Sequence, residues 1–152
     1  CIPCFLKTWE QRWYLIAEPL NRKNPSVYAL ERISNLRLTE QQLSPSPYIN
    51  PQSYFEGCYG VNHEDCPPVP IKIKVYGSQV DYVRARPIHS SQEEVEQGYG
   101  WSVFSYWLRP SYNFYQMLLW HREKVEVMEP EEVREEMKKI VNQISKQYNI
   151  YG

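Results

Sequence analysis

The sequence predicts an α+β protein, and three observations carry that expectation. Aromatic and branched residues near its beginning form short runs of strand character. The second half passes through strand, helix, strand, strand, helix and strand patterns in turn. The chain then closes on a long segment with a helical apolar stripe.

The first run is Arg12-Trp13-Tyr14-Leu15-Ile16-Ala17, echoed by Val27-Tyr28-Ala29-Leu30-Glu31-Arg32-Ile33. Glu18 to Pro25 lies between them, a polar connection whose two prolines cannot extend either strand. Strand side chains alternate, so Arg12 and Tyr14 share one face while Trp13 and Leu15 share the other. By the same rule Tyr28, Leu30 and Arg32 share a face. A pleated surface with two arginines and two tyrosines suits an anionic, flat or aromatic ligand.

Six of the 12 prolines fall between Pro45 and Pro70, where no long periodic segment can run. Within that zone residues 52–61 are expected to form a short helix ending at a glycine, and Asn62 to Pro68 a linker. The chain is therefore expected to divide into residues 1–68 and 69–152.

Beyond the linker, Ile71 to Tyr76 alternates as a half-buried strand. Residues 78–86 carry Val80, Val83 and Arg84 at helical spacing and stop before Pro87. Residues 88–96 and 100–108 are expected to be strands joined by a turn at Gln97-Gly98, and Ser111 to cap a helix running to about His121. Lys124 to Met128 is a further strand. The last helix begins at Pro130, has Glu131 and Glu132 in its first turn, and carries the stripe Val133, Met137, Ile140, Val141, Ile144 and Tyr148. The order β-α-β-β-α-β followed by a helix is the ferredoxin-like plan.

An apolar fraction of 42% and 13 tyrosines fit a folded protein. No run approaches a membrane span and no charged-then-apolar leader precedes the first strand, so a cytoplasmic protein is expected. The chain opens with Cys1 and is expected to be a piece of a longer one. A net charge of −1 argues against a general duplex-DNA binder, although residues 1–40 hold six basic side chains against four acidic ones. That local excess is equally what an ordinary solvated sheet face carries.

Cys1-x-x-Cys4 has metal-ligand spacing, and Cys58, His63 and Cys66 form a second group. The second group lacks a tight Cys-x-x-Cys knuckle, so unpaired thiols are expected, with zinc or a disulfide as the alternatives. No cofactor is expected. His63, His89 and His121 fall on different elements, none beside a Ser or Cys nucleophile by motif, and no glycine-rich phosphate loop occurs. Glu93, Glu94 and Glu96 look like a solvated strand edge. No catalytic residues are therefore assigned, and an enzyme is not expected.

The tripeptide Trp13-Tyr14-Leu15 resembles the signature of the WYL domain. Pro3-Cys4-Phe5-Leu6-Lys7 is similar to the strand that precedes it in that family, and Leu30-Glu31-Arg32-Ile33 to its Leu-Asp-Arg-Ile stretch, with Glu in place of Asp. Further on, Arg86 to Gln92, Leu108-Arg109-Pro110, Leu118-Leu119-Trp120 and Val125 to Pro130 resemble the WCX extension that follows WYL domains. The resemblance implies a partial Sm-like β-barrel followed by a WCX module, in the effector-sensing part of a bacterial transcriptional regulator. It also implies dimer contacts through the extension. Two departures matter: the family's barrel begins one or two strands before Pro3, and the helix-turn-helix that reads DNA is missing from this sequence. This piece alone is not expected to read an operator.

The resemblance makes Arg32 an effector contact; the alternative is a structural ion pair with Glu31 or another carboxylate. Arg12, Tyr14, Tyr28 and Lys7 complete the candidate ligand set, and Trp13 is expected in the core. His89 and Gln92 are expected to satisfy hydrogen bonds at a strand end, or else to serve an interface or a ligand, and His121 to pack or meet a helix dipole. The expected ligand is a negatively charged effector, single-stranded DNA or RNA or a nucleotide, with bases on aromatic rings and phosphates on guanidinium groups. The alternative is an oligomerisation module without effector, using Tyr112, Phe114, Tyr115 and Trp120 as a homodimer face; an enzyme on the ferredoxin-like scaffold is a third.

Overall fold

Antiparallel strands β1 (Ile2–Trp9), β2 (Arg12–Glu18) and β3 (Ser26–Ala29) build a three-stranded sheet in that order. A computed structural model describes residues 1–21, 24–42, 49–63 and 66–149. Its chain separates into two compact units, residues 1–63 and 64–152. Arg22 and Lys23 of the expected polar connection, Pro45 and Pro47 of the proline-rich zone, and Glu64 and Asp65 of the expected linker lie outside the described residues.

The first hairpin turns on Glu10 and Gln11, both at positive φ (47° and 64°). Register then assigns the faces. Lys7 lies opposite Tyr14, which lies opposite Ala29; Leu6 lies opposite Leu15, which lies opposite Tyr28. Trp13 lies opposite Thr8.

Two sequence expectations change here. The expected strand over 27–33 ends at Ala29, and Leu30–Arg32 turns as a 3-10 helix closed by a hydrogen bond from the Ile33 amide to the Leu30 carbonyl at 3.1 Å. The alternation that put Tyr28, Leu30 and Arg32 on one face therefore stops after Ala29. The shared surface of two arginines and two tyrosines also divides, because Tyr28 pairs with Leu15 and so faces away from Arg12 and Tyr14. Alternation orders residues within a strand; only pairing relates one strand's faces to the next.

The chain returns over one face of this sheet. Asn50 accepts a hydrogen bond from the Gln52 amide at 2.8 Å and starts α1 (Pro51–Tyr54), with Pro51 in its first turn. This single turn replaces the longer helix expected there. Tyr54 and Phe55 each meet Phe5 edge-on at 6.0 Å between ring centres, and Tyr59 meets Trp9 at 5.0 Å. Phe5, Lys7 and Trp9 are thus covered, while Leu6 on the opposite face stays 53% exposed. At the far end of β2, Ile16 and Ala17 are both fully buried on opposite faces.

The second unit runs β4 (Val69–Tyr76), α2 (Gln79–Ala85), β5 (Glu93–Gly98), β6 (Trp101–Leu108), α3 (Tyr112–Trp120), β7 (Val125–Glu129) and α4 (Glu131–Gln147). Its sheet has the order β5-β6-β4-β7, antiparallel throughout. Ile71, Ile73 and Val75 of β4 lie opposite Tyr106, Phe104 and Ser102 of β6, and all six are buried. Val80 and Val83 of α2 and Phe114, Met117 and Leu118 of α3 add to this core. Each apolar side chain so buried contributes about 1.5–3 kcal/mol.

Local chemistry fixes the element ends. Ser111 caps α3 by accepting from the Phe114 amide at 3.4 Å. The β5–β6 turn falls at Tyr99-Gly100, two residues beyond the expected Gln97-Gly98. Gly98 closes its strand with the Trp101 ring over it, so no larger residue fits: an added Cβ would sit 2.4 Å from that indole. Pro130 caps α4 and does not enter it. Val133 of its apolar stripe is buried, whereas Val141, Ile144 and Tyr148 are exposed.

Candidate functional site

The candidate ligand residues gather on the three-stranded sheet. Since β3 runs antiparallel to β2 with Ala29 opposite Tyr14, the 30–32 turn comes alongside the Arg12–Trp13 end of β2. There Arg12 Nη1 stands 3.7 Å from Glu31 Oε1, with both side chains about half exposed or more. A pair so long and so open is weak and easily exchanged for another anion. Arg32 is exposed and makes no ion pair or hydrogen bond among the described residues. The carboxylate of Glu31, named above as its structural alternative, is turned to Arg12.

The remaining candidates divide between two faces. Lys7 holds its ammonium 4.3 Å from the centre of the Phe55 ring and lies on the covered face with half-buried Tyr14. Tyr28 is 37% exposed on the open face. Beside it on that face is Trp13, 53% exposed, where the sequence expectation had placed it in the core. The reason is positional: Trp13 sits one residue into its strand, near the end of the sheet, on the face that residues 54–59 do not cover. Its assignment to the core followed the general preference of tryptophan for burial.

This end of the sheet can do two things at once. Two guanidinium groups can bind anionic oxygens: Arg32, unpaired among the described residues, and Arg12, loosely paired and on the same face as Tyr14. Two aromatic rings on the open face can stack a planar group.

The thiols make no comparable constellation. All four cysteines are unbridged, and among the described residues no three His, Cys, Asp or Glu side chains come together as metal ligands. Burial pushes the Cys4 thiol up, so it stays protonated at neutral pH. Tyr54 stacks on His63 with ring centres 4.3 Å apart.

In the second unit, His89 and Gln92 satisfy hydrogen bonds as expected. Gln92 donates to the Val83 carbonyl at 3.0 Å and accepts from the Ile88 amide at 3.0 Å and the Tyr106 hydroxyl at 2.9 Å. His89 Nδ1 accepts from the Ser91 amide at 3.2 Å, and Ser91 Oγ accepts from the Trp107 amide at 3.0 Å. The residues between α2 and β5 are thereby stitched to β6. His121 Nδ1 lies 2.8 Å from Gln79 Nε2 and accepts from that amide group, while its ring packs edge-on to Trp120. Burial lowers both histidines from their ordinary range and favours the neutral rings that these contacts require. Of the aromatic residues on α3, Phe114 is wholly buried and serves no interface, whereas Tyr112 and Trp120 are exposed.

The chain thus consists of a small sheet with a cationic aromatic end, followed by a four-stranded α+β module. Family comparison identifies the two parts: residues 2–38 match the WYL domain and residues 67–145 the WCX domain. The WCX match spans more than half of the chain, which therefore belongs to the WCX domain family and carries a stretch similar to the WYL domain before it. Among solved structures it is similar to proteasome accessory factor B/C (PafBC) of Arthrobacter aurescens, at 16% identity and a TM-score of 0.36. The match covers 83% of this chain and 19% of that one. No curated protein matches. No helix among the described residues is long and apolar enough to cross a membrane.

Proposed function

We propose that this chain is the effector-sensing part of a bacterial, cytoplasmic transcriptional regulator, and that its first unit binds a negatively charged ligand, single-stranded nucleic acid or a nucleotide. The observation that carries this is Arg32, an exposed guanidinium without a partner among the described residues, beside the loosely held Arg12 at an aromatic sheet end. Phosphate oxygens would take the bidentate geometry that both groups offer. Lys7 adds positive charge, and Tyr14 and Tyr28 add ring surface.

We read the β1–β3 sheet as part of a small Sm-like barrel occupying residues 1–68 with its proline-rich linker. Residues 69–152, whose sheet order is that of a ferredoxin-like module, form the WCX extension and contribute to a homodimer. Ligand binding then biases the geometry between barrel and extension, and so the placement of a DNA-binding helix-turn-helix carried elsewhere in the protein.

The test is fluorescence anisotropy with labelled single-stranded and duplex oligonucleotides at two salt concentrations, with Arg32→Ala alongside. Salt-sensitive single-strand binding that the substitution abolishes is expected. Absence of binding at either salt would sink the nucleic-acid reading. One observation favours a second reading, an oligomerisation module without effector: Tyr112 and Trp120 stand exposed on α3, 65% and 64%. A dimer lost in Trp120→Ala, together with no ligand binding, would support it instead.

A further inference from the structure

We infer that Tyr82 and Trp120 form the walls of a binding notch in the second unit, and that it takes a proline-rich, extended segment of a partner protein. The site is separate from the anion-binding sheet proposed above. Gln79 and Tyr82 lie one turn apart on the same side of α2, and Trp120 ends α3 with His121 as its cap. The inner faces of both helices fill the core, through Val80, Val83, Phe114, Met117 and Leu118. Tyr82 and Trp120 are left outside it, 40% and 64% exposed. Their ring centres stand 6.0 Å apart with planes at 40°, so they neither stack nor meet edge-on, and an open angle remains between them. His121, buried, lies edge-on to both, 5.0 Å from Trp120 and 6.4 Å from Tyr82, and Gln79 holds its Nδ1. It forms the floor between the two walls.

Charge, hydrogen bonding and size select the occupant. The charged side chains next in sequence are paired among themselves: Asp81 with Arg84 at 3.2 Å, and Glu123 with Arg122 and Lys124 at 3.6 and 3.3 Å. Burial lowers His121 and keeps its ring neutral. The notch therefore offers no net charge to a nucleic acid or an ionic peptide. It does offer donors, because the Trp120 indole N–H and the Tyr82 hydroxyl make no hydrogen bond among the described residues. A run of prolines matches both features, since its rings are apolar and it presents carbonyl acceptors with no N–H of its own. Its extended conformation exists before binding, so little ordering is required. Size argues against a second copy of this chain. An aromatic ring buries about 150–250 Å². Two partly exposed rings fall well short of the about 800 Å² that each partner of a standard interface buries.

The test is a titration of the full 152-residue chain, isotope-labelled, with decaproline, followed by NMR on its backbone amides and on the indole N–H signals of its five tryptophans. The indole signal that is missing from Trp120→Phe is expected to shift, with a Kd on the order of 0.1–1 mM for so small a contact. Trp120→Ala and Tyr82→Ala should each weaken binding about tenfold, read on the amides of α2 and α3. Circular dichroism before titration checks that each variant is folded; if one is not, the other reads out the same notch. Trp120→Phe, which keeps a ring and loses the donor, should fall between the unaltered chain and Trp120→Ala. Arg32→Ala should bind decaproline unchanged. A glycine-serine peptide of equal length, with carbonyls but no rings, should not bind. An unmoved Trp120 indole at about 1 mM decaproline, or an equal response to the glycine-serine peptide, would overturn the inference. Displacement of decaproline by oligothymidine would overturn it in favour of a nucleic acid. Self-association that is lost in Trp120→Ala, with no decaproline binding, would overturn it in favour of a second copy.

Discussion

The central strands of the second unit send Ile71, Ile73, Phe104 and Tyr106 into a shared core with α2 and α3, whereas the sheet of the first unit leaves Leu6, Trp13 and Tyr28 uncovered. The same period-two pattern underlies both. What differs is what lies over the patterned face. In the second unit, loop ends are also tied by polar side chains with buried or half-buried partners, as Gln92 and Ser91 illustrate. In the first, the charged groups at the open end are exposed and loosely held. One sheet is packed over its patterned face, and the other leaves that face open.

The sharpest break between them is a pair of large-to-small changes. Phe104 is 1% exposed, so Phe104→Ala should cost about 3–5 kcal/mol in urea unfolding. Trp13→Leu, at a half-exposed ring, should cost under about 1 kcal/mol. Comparable losses from the two would mean that the face bearing Trp13 is packed after all.

A second difference concerns polar staples. Gln92→Leu removes the partners of the Val83 carbonyl, the Ile88 amide and the Tyr106 hydroxyl, and should cost about 2–3 kcal/mol. Adding Tyr106→Phe removes one of the orphaned groups, so the double variant should be less destabilised than the sum of the two singles. Simple additivity, measured by the same unfolding transitions, would mean that the Tyr106–Gln92 bond contributes nothing.

The contrast also bears on what was legible in the sequence. The β-α-β-β-α-β order and terminal helix could be recovered because each element of the second unit carries its own signal. Ser111 is a cap, Pro87 a stop, and Ile71-Lys72-Ile73 an alternation. Turn positions were harder: Gln97-Gly98 looks like a turn, but both residues pair across the ladder, Gln97 with Ser102 and Gly98 with Trp101. In the first unit, Arg12 and Tyr14 were correctly assigned to one face, yet Tyr28 could not be related to them. Its side depends on pairing with Leu15, which local pattern does not encode. The exposure of Trp13 was hidden for the same kind of reason. Tryptophan signals burial on average, and only the arrangement of residues 50–61 over the opposite face shows which side is left open.

Acidification should act through the second unit. Burial lowers His89 and His121, so the unfolded chain takes up protons at a higher pH than the folded one. Their contribution is fully present above the ordinary histidine value of about 6.5 and is lost as pH falls below it. Protonating His89 would also turn Nδ1 from an acceptor into a donor facing the Ser91 amide. Thermal melts between about pH 7.5 and 5.5 should therefore show a falling midpoint, with the fall reduced in His89→Gln. A midpoint insensitive to pH over that interval would show that neither ring is buried in its neutral form.

The smallest effect expected belongs to the hairpin of the first unit. Glu10 and Gln11 both occupy positive φ, as a two-residue turn between right-twisted strands requires, and neither is a residue that favours that region. A left-handed conformation costs a side-chain-bearing residue about 1–2 kcal/mol. Gln11→Gly removes that cost, while its freer unfolded chain returns about 0.4–1 kcal/mol of the gain. The net should be a stabilisation of about 0.5 kcal/mol, read as a higher urea midpoint for the first unit alone. A loss of stability would mean that the Gln11 side chain makes a contact worth more than its backbone strain. That would sharpen the comparison, because the loosely held end of the molecule would then contain a staple of its own.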